Sequence, residues 1–197
     1  DLDTKLAIYQ KASENHPNCF RAINNVGYTY ILMGEADKAE DALMKAKSMK
    51  DNDIVNNNLG AAALMQGDVE KAEELLTSAT GAGDAVSYNL GIIKTMQGDY
   101  QSAANYFGNS DEVNTALVKL LRDDYDGAMA TINRVGESTA KKHYVKAVIA
   151  ANQDKEELVY ESLRLAIAED SAMKERASMD MEFAKYFESD AFKSIVE

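Results

Sequence analysis

The sequence predicts an all-α fold: an α-solenoid of helical hairpins stacked in series and closed by a C-terminal capping helix. Three observations predict it. An Asn-x-Gly step recurs at Asn25-Val26-Gly27, Asn58-Leu59-Gly60 and Asn89-Leu90-Gly91, with the glycines 33 and 31 residues apart. Each step is followed by a second glycine and an acidic residue, at Gly34-Glu35, Gly67-Asp68 and Gly98-Asp99. On both sides of that second glycine the apolar residues keep a helical period. Self-similarity at a fixed period of this size marks a repeat architecture, in which each unit buries its apolar face only against its neighbours.

The units follow in order. Residues 1–17 are expected to be a truncated repeat, because Tyr9, Ala12 and Pro17 resemble the end of a second helix whose first helix is missing. The chain is on this reading a segment of a longer protein. Residues 18–50, 51–82 and 83–108 are full repeats that carry the glycine steps. In the third, the second helix is expected to stop early, at Gly108-Asn109. Residues 109–136 and 137–170 continue the series more weakly. Their small residues Ala116 and Ala147 stand where the earlier units have glycine, at spacings of 25 and 31 from Gly91 onward. Residues 171–197, from Met173 through Phe183 to Phe192, are expected to form the cap.

Each residue type has a physical reason. A glycine inside a helix costs about 1 kcal/mol against alanine, so Gly27, Gly60 and Gly91 imply a crossing helix that leaves no room for a Cβ. Ala39, Ala72, Ala103 and Ala128 are the expected small counterparts on the second helices. Leu43, Leu76, Phe107, Leu59, Leu90 and Tyr30 are expected to fill the seams. Gly34, Gly67 and Gly98 fall where a helix ends in a left-handed residue, and Asp68 and Asp99 can then cap the next helix.

At these residues the chain resembles the tetratricopeptide repeat family, whose period is about 34 residues. The resemblance is strongest from residue 20 to 107 and runs, more weakly, over nearly the whole chain. It implies a right-handed superhelix of paired helices and a non-enzymatic role in binding a protein or peptide. In members that hold a chaperone's C-terminal carboxylate, basic residues and asparagines sit on adjacent first helices. Here Asn25 matches one asparagine place, but Ile54 and Asn58 occupy the basic places that follow, which argues against that subtype. The later stretches Tyr125-Asp126-Gly127-Ala128, Tyr144-Val145-Lys146-Ala147 and Lys174-Glu175-Arg176-Ala177 resemble repeat segments of large envelope proteins of Gram-negative anaerobes. That implies a periplasmic or outer-membrane-associated setting, with the cytoplasm left open, and an alternative role as a structural spacer or self-assembly domain of a larger bacterial envelope protein.

Composition narrows the function further. The net charge of −12 is spread along the chain rather than gathered in a tail. It argues against nucleic acid, whose binding rests on basic side chains that neutralise phosphates, and favours a basic or neutral peptide. No apolar run approaches the roughly 20 residues that a membrane-spanning helix needs. Cys19 is the single cysteine, which rules out an internal disulfide, and it reads as a small half-buried residue near a helix start.

Neither metal nor cofactor is expected. His16 and His143 lie in distant units, and neither has a second ligand at helical spacing. Asp51-Asn52-Asp53 lacks a calcium loop's glycine (Asn56 stands there) and its closing glutamate (Ala62 stands there). Asp123-Asp124-Tyr125-Asp126 has Arg122 at the first ligand place and Asn133 at the last. Gly81-Ala82-Gly83 lacks the third glycine and the preceding strand of a dinucleotide loop and reads as a lengthened turn between repeats. No catalytic constellation stands out.

The first helices are expected to line a concave face, with binding residues recurring one helical turn apart beside the buried seam. This selects Arg21, Asn24 and Tyr28, then Asn57, Ala61 and Met65, then Tyr88, Ile92 and Met96. The later units supply Val113 and Leu117, then Lys141, Tyr144 and Val148. Asparagine can hold a peptide backbone by its amide, tyrosine offers apolar area with a polar tip, and methionine adapts its shape. Self-association remains open.

Overall fold

The computed structural model describes the backbone of residues 1–197 and every side chain except that of Thr80. Among the described residues there are helices and turns but no strand, as the repeat pattern requires. The chain falls into two units, Asp1–Asp99 and Tyr100–Glu197.

The first unit holds α1 (Leu2–Asn15), α2 (Phe20–Leu32), α3 (Ala36–Met49), α4 (Asp53–Gln66), α5 (Val69–Thr77), a 3-10 turn (Thr80–Ala82) and α6 (Asp84–Met96). Helices α2 and α3 pair as one hairpin and α4 and α5 as the next, and the first helices α2, α4 and α6 adjoin in turn. Cys19, half-buried, is the residue from which α2 starts. The second unit holds α7 (Tyr100–Phe107), α8 (Val113–Leu121), α9 (Tyr125–Arg134), α10 (Ala140–Asn152) and α11 (Glu156–Glu169). Here α8 pairs with α9 and α10 with α11, and α8 adjoins α10. Helix α7 has only 8 residues and gives way to Gly108, whose φ is 58°.

The cap is more than a single helix. It comprises α12 (Ala172–Met179), a 3-10 turn (Met181–Tyr186) and α13 (Asp190–Val196). The break falls at Asp180, which turns extended (φ −78°, ψ 116°) and accepts the Glu182 N–H with its side chain. The turn docks on α10 while α12 and α13 pack on α11. Aromatic side chains seal the joint: Phe183 is fully buried, edge-on to Tyr144 at 5.7 Å and 6.1 Å from Phe192.

The hairpin glycines meet large neighbours. A Cβ on Gly27 would lie 2.5 Å from Leu43 Cγ and 3.2 Å from the Ala39 carbonyl oxygen. A Cβ on Gly60 would lie 2.6 Å from Leu76 Cγ and 3.4 Å from the Ala72 carbonyl oxygen. Ala39 and Ala72 therefore bring their backbone, rather than a small side chain, toward the glycine, and the leucine one turn further on lies over it. Both leucines are completely buried. Gly91 is buried in α6.

The turns repeat with one geometry. Gly34, Gly67 and Gly98 have φ of 80°, 80° and 77°, and in the same register Asp123 and Asp154 have φ of 60° and 56°. After each of them, the next N–H returns to a carbonyl five residues earlier. These bonds are Glu35 to Tyr30, Asp68 to Ala63, Asp99 to Lys94 and Asp124 to Lys119 at 2.9 Å, and Lys155 to Ala150 at 3.0 Å. This is the hydrogen bond of a Schellman helix stop. Asp68 and Asp124 also cap the following helix, accepting from Lys71 N and Gly127 N.

Hairpins are tied to one another by polar rungs. Gln66 Nε2 donates to Asp37 Oδ1 and Glu40 Oε2 at 2.9 and 2.8 Å, and Lys71 pairs with Glu40. One repeat later, Gln97 Nε2 donates to Glu73 Oε2 at 2.8 Å, and Lys94 Nζ reaches Glu73 Oε1 at 2.6 Å. In both cases the lysine, then the glutamine, holds the glutamate below the ordinary carboxylate range. In the second unit Arg122 donates to Gln101 and Gln153 to Asp126, each at 2.8 Å.

Two substitutions test this geometry. Gly27→Ala gains about 1 kcal/mol of helix propensity but overfills a closed seam, which costs roughly 1–3 kcal/mol. A net loss in urea unfolding is expected, and a gain in stability would contradict the close approach. Asp123→Gly relieves an L-residue of the left-handed region, worth about 1–2 kcal/mol. It should raise the unfolding midpoint even though the exposed Tyr125–Asp123 hydrogen bond is given up.

Candidate binding site

In the first unit the selected residues split into two groups. Tyr28, Met65 and Met96 are exposed large apolar side chains on α2, α4 and α6, and Tyr88 is 37 % exposed. Asn57, Ala61 and Ile92 are half-buried. Asn24 is buried, and its Oδ1 accepts from Asn58 Nδ2 at 3.1 Å. Asn57 Oδ1 accepts from Asn89 Nδ2 at 3.1 Å. These amides join first helix to first helix, with the motif asparagine of one repeat donating to the residue before the motif asparagine of the repeat before it. Arg21 and Asn24 also border a cleft of about 470 Å³ with Phe20, Lys50, Asp53 and Ile54. There Lys50 and Arg21 lie 5.2 and 5.8 Å from the Phe20 ring.

In the second unit the selected residues converge. Leu117 from α8 and Lys141, Tyr144 and Val148 from α10 line one cleft of about 440 Å³. Val113 is half-buried at the start of α8. Leu120, Leu121 and Val145 complete the cleft's repeat side, and Met173, Arg176, Asp180 and Glu182 form its far wall. Met173 and Arg176 stand three residues apart on α12, the spacing that brings side chains into line, and Asp180 follows directly after the helix. That periodicity is present in the sequence, but it belongs to the cap rather than to a repeat, so the repeat register does not reveal it.

The polar geometry of this cleft is specific. Tyr144 is 5 % exposed, and its hydroxyl donates to Asp180 Oδ2 at 2.6 Å. The Arg176 guanidinium lies 4.9 Å above the Tyr144 ring, a cation–π arrangement. Burial first, and then the Asp180 carboxylate, pushes the Tyr144 phenol above its ordinary range. Lys141 Nζ donates to Asn114 Oδ1 at 2.8 Å. Desolvation by the neighbouring helices, followed by Arg176, holds the Lys141 ammonium below its ordinary range. Glu182 accepts from Asn152 Nδ2 at 2.9 Å.

Elsewhere, His143 Nε2 meets Ser138 Oγ at 2.9 Å, and Ser138 also donates to Glu169 at 3.2 Å. A serine donating to the carboxylate, with the histidine on its other side, is not ordered as a nucleophile–base–acid relay. Among the described residues no group of three or more His, Cys, Asp or Glu side chains is gathered to hold a metal ion. Among the described residues no helix is long and apolar enough to cross a membrane.

Adjoining hairpins with a recurring left-handed turn define a helical-repeat protein. The tetratricopeptide repeat model matches residues 20–53. No curated protein matches the sequence. Among solved structures, the chain is similar over its whole length to one in the APC/C hetero-tetramer Cut9–Hcn1 (19 % identity, TM-score 0.79). It spans 40 % of that chain. It is also similar to a tetratricopeptide repeat protein from Parabacteroides merdae, with 16 % identity, TM-score 0.70 and coverage of 100 % of this chain and 78 % of that one. A third likeness is to PilW, a widely conserved type IV pilus biogenesis factor, with 18 % identity, TM-score 0.68 and coverage of 100 % and 91 %. One tetratricopeptide repeat is thus matched in the sequence, at residues 20–53, and the fold of the whole chain is similar to that of a solved tetratricopeptide repeat protein.

Tyr144→Phe tests the cleft's polar anchor. Leaving Asp180 without its phenol donor should cost about 1–2 kcal/mol near neutral pH. The folded-state pKa of Tyr144 is raised above the ordinary value of 10.0. Its contribution is therefore complete below that pH and lost as pH rises beyond it. Between about pH 9 and pH 11, urea midpoints should fall more for the wild type than for Tyr144→Phe. An equal fall in both would show that the phenol is not held this way.

Proposed function

We propose that the chain is a non-enzymatic interaction module that receives a peptide, or an extended segment of a partner protein, on the face made by its first helices. The observation that carries this is the convergence of Leu117, Lys141, Tyr144 and Val148 on one cleft in the second unit. Exposed Tyr28, Met65 and Met96 on the first helices of the first unit add support. Large exposed apolar patches mark interaction sites on proteins. Tyrosine and methionine are also residue types that interfaces favour. The resemblance to tetratricopeptide-repeat proteins, which are generally non-enzymatic scaffolds, points the same way.

The test is a random heptapeptide display library panned against the full chain. Two variants serve as filters: Tyr28→Ala/Met65→Ala/Met96→Ala for the first unit, and Leu121→Arg for the second. Enriched peptides should bind one of the two variants at least about tenfold more weakly than the wild type, as expected when central apolar contacts are removed. If no peptide is enriched, or if every enriched peptide binds both variants as it binds the wild type, the first-helix face is not the binding face.

A further inference from the structure

We propose that the cleft between α8, α10 and α12 binds a peptide segment in which an acidic side chain is flanked by apolar ones, with Lys141 and Arg176 receiving the carboxylate. This rests on the interaction-module reading above and names the ligand chemistry for one of its two units. The cleft is walled by Leu117, Leu120, Leu121, Val145, Val148 and Met173, and Leu121 is 38 % exposed. Such a surface prefers apolar side chains over water.

The charges decide what else the ligand must carry. Among the described residues, neither Lys141 nor Arg176 forms an ion pair. Lys141 spans to a neutral amide, Asn114, and Arg176 lies over a neutral ring, Tyr144. The carboxylates of the same cleft are engaged by other donors. Asp180 accepts from the Tyr144 hydroxyl and the Glu182 N–H, and Glu182 accepts from Asn152. Two cations close enough for one to influence the other's titration thus stand in the cleft with no carboxylate in ion-pair contact, while Asp180 and Glu182, held by neutral donors, keep their charge on its far wall.

A purely apolar ligand would strip water from both cations and return nothing, which is costly. A basic ligand would add repulsion. A carboxylate placed between Lys141 and Arg176 would form charge-assisted hydrogen bonds, the stronger kind. The overall charge of −12 does not reverse this. Dispersed surface carboxylates are screened beyond about 8–10 Å at ordinary ionic strength, whereas the cleft cations would be in contact with the ligand.

The panning experiment is extended to test this. Peptides whose binding is lost on Leu121→Arg are sequenced, and the strongest is synthesised with its acid intact, with the acid replaced by its amide, and with the acid replaced by lysine. The enriched set should carry Asp or Glu beside Leu, Ile, Phe or Met. The amide form should bind at least about tenfold more weakly, as should the parent peptide on Lys141→Glu or Arg176→Gln, given the cost of removing one member of a desolvated charge pair. The lysine form should recover on Lys141→Glu. Circular dichroism and urea midpoints establish that the variants are folded, and Lys141, being exposed, gives a variant whose folding does not depend on the stacked Arg176.

Acid-free peptides in the Leu121-dependent set overturn the proposal. Equal binding of acid and amide forms does the same, as does displacement of the peptide by laurate at lower concentration than by the unlabelled peptide itself, which would make the cleft an acyl-chain site. If enriched peptides depend only on Tyr28, Met65 and Met96, this proposal falls while the interaction-module reading stands. If none depends on either face, both fall.

Discussion

The structure depends on one packing constraint: the two helices of a hairpin must come close enough for a buried leucine to lie over a glycine backbone. At Gly27 and Gly60 the space that a Cβ would need is already occupied by Leu43 and Leu76. The glycine sacrifices helix propensity. In exchange, two turns of a second helix settle against a first helix with no gap, and dense packing of that kind is what protein interiors need. The left-handed residue a turn or two later is the covalent half of the same constraint. It stops the first helix and reverses the chain within a few residues, so the leucine arrives opposite the glycine rather than a turn away from it.

Once each hairpin is fixed, polar contacts set how hairpins follow one another. The asparagine pairs run between first helices, and the Gln66, Gln97 and Gln153 amides reach back to carboxylates of the preceding second helix. A hydrogen bond of this type contributes about 1 kcal/mol net, and an exposed ion pair about 0–1 kcal/mol. Full burial of one Leu, Val or Ile side chain contributes roughly 1.5–3 kcal/mol. The apolar seams Ile23–Leu43–Val55–Leu59 and Leu76–Val86–Leu90–Ile93 therefore supply most of the cohesion. The amides supply register, because a donor and an acceptor must coincide whereas apolar surfaces tolerate sliding.

This division explains what could be read from the residues. Gly27, Gly34, Gly60 and Gly67 are legible because glycine at a fixed period has few physical explanations. Asp123 and Asp154 hold the same left-handed place, but aspartate is equally at home in caps and turns, and its type does not announce a positive φ. Asn24 and Asn57 fit a peptide backbone as well as they fit a neighbouring helix. Side-chain chemistry states that an amide needs a partner and does not say whether that partner is a ligand or the next repeat. The cleft in the second unit was half visible. Leu117, Lys141, Tyr144 and Val148 follow from repeat register, whereas Arg176 and Asp180 owe their place to a tertiary contact between the cap and α10.

That contact is also why chemistry gathers in the second unit. A first helix in mid-array has another first helix beside it, and its polar residues are consumed in the amide seam. Helix α10 is followed instead by a 3-10 turn, which fills the inner part of its flank with Phe183. The cap then leaves Arg176 and Asp180 beside Tyr144 instead of a matching asparagine. The buried Tyr144 hydroxyl still needs an acceptor, and Asp180 provides one. That leaves the cation above the ring without a carboxylate of its own. A repeat ended by a mismatched element thus sets Lys141 and Arg176 beside apolar surface with no carboxylate in ion-pair contact.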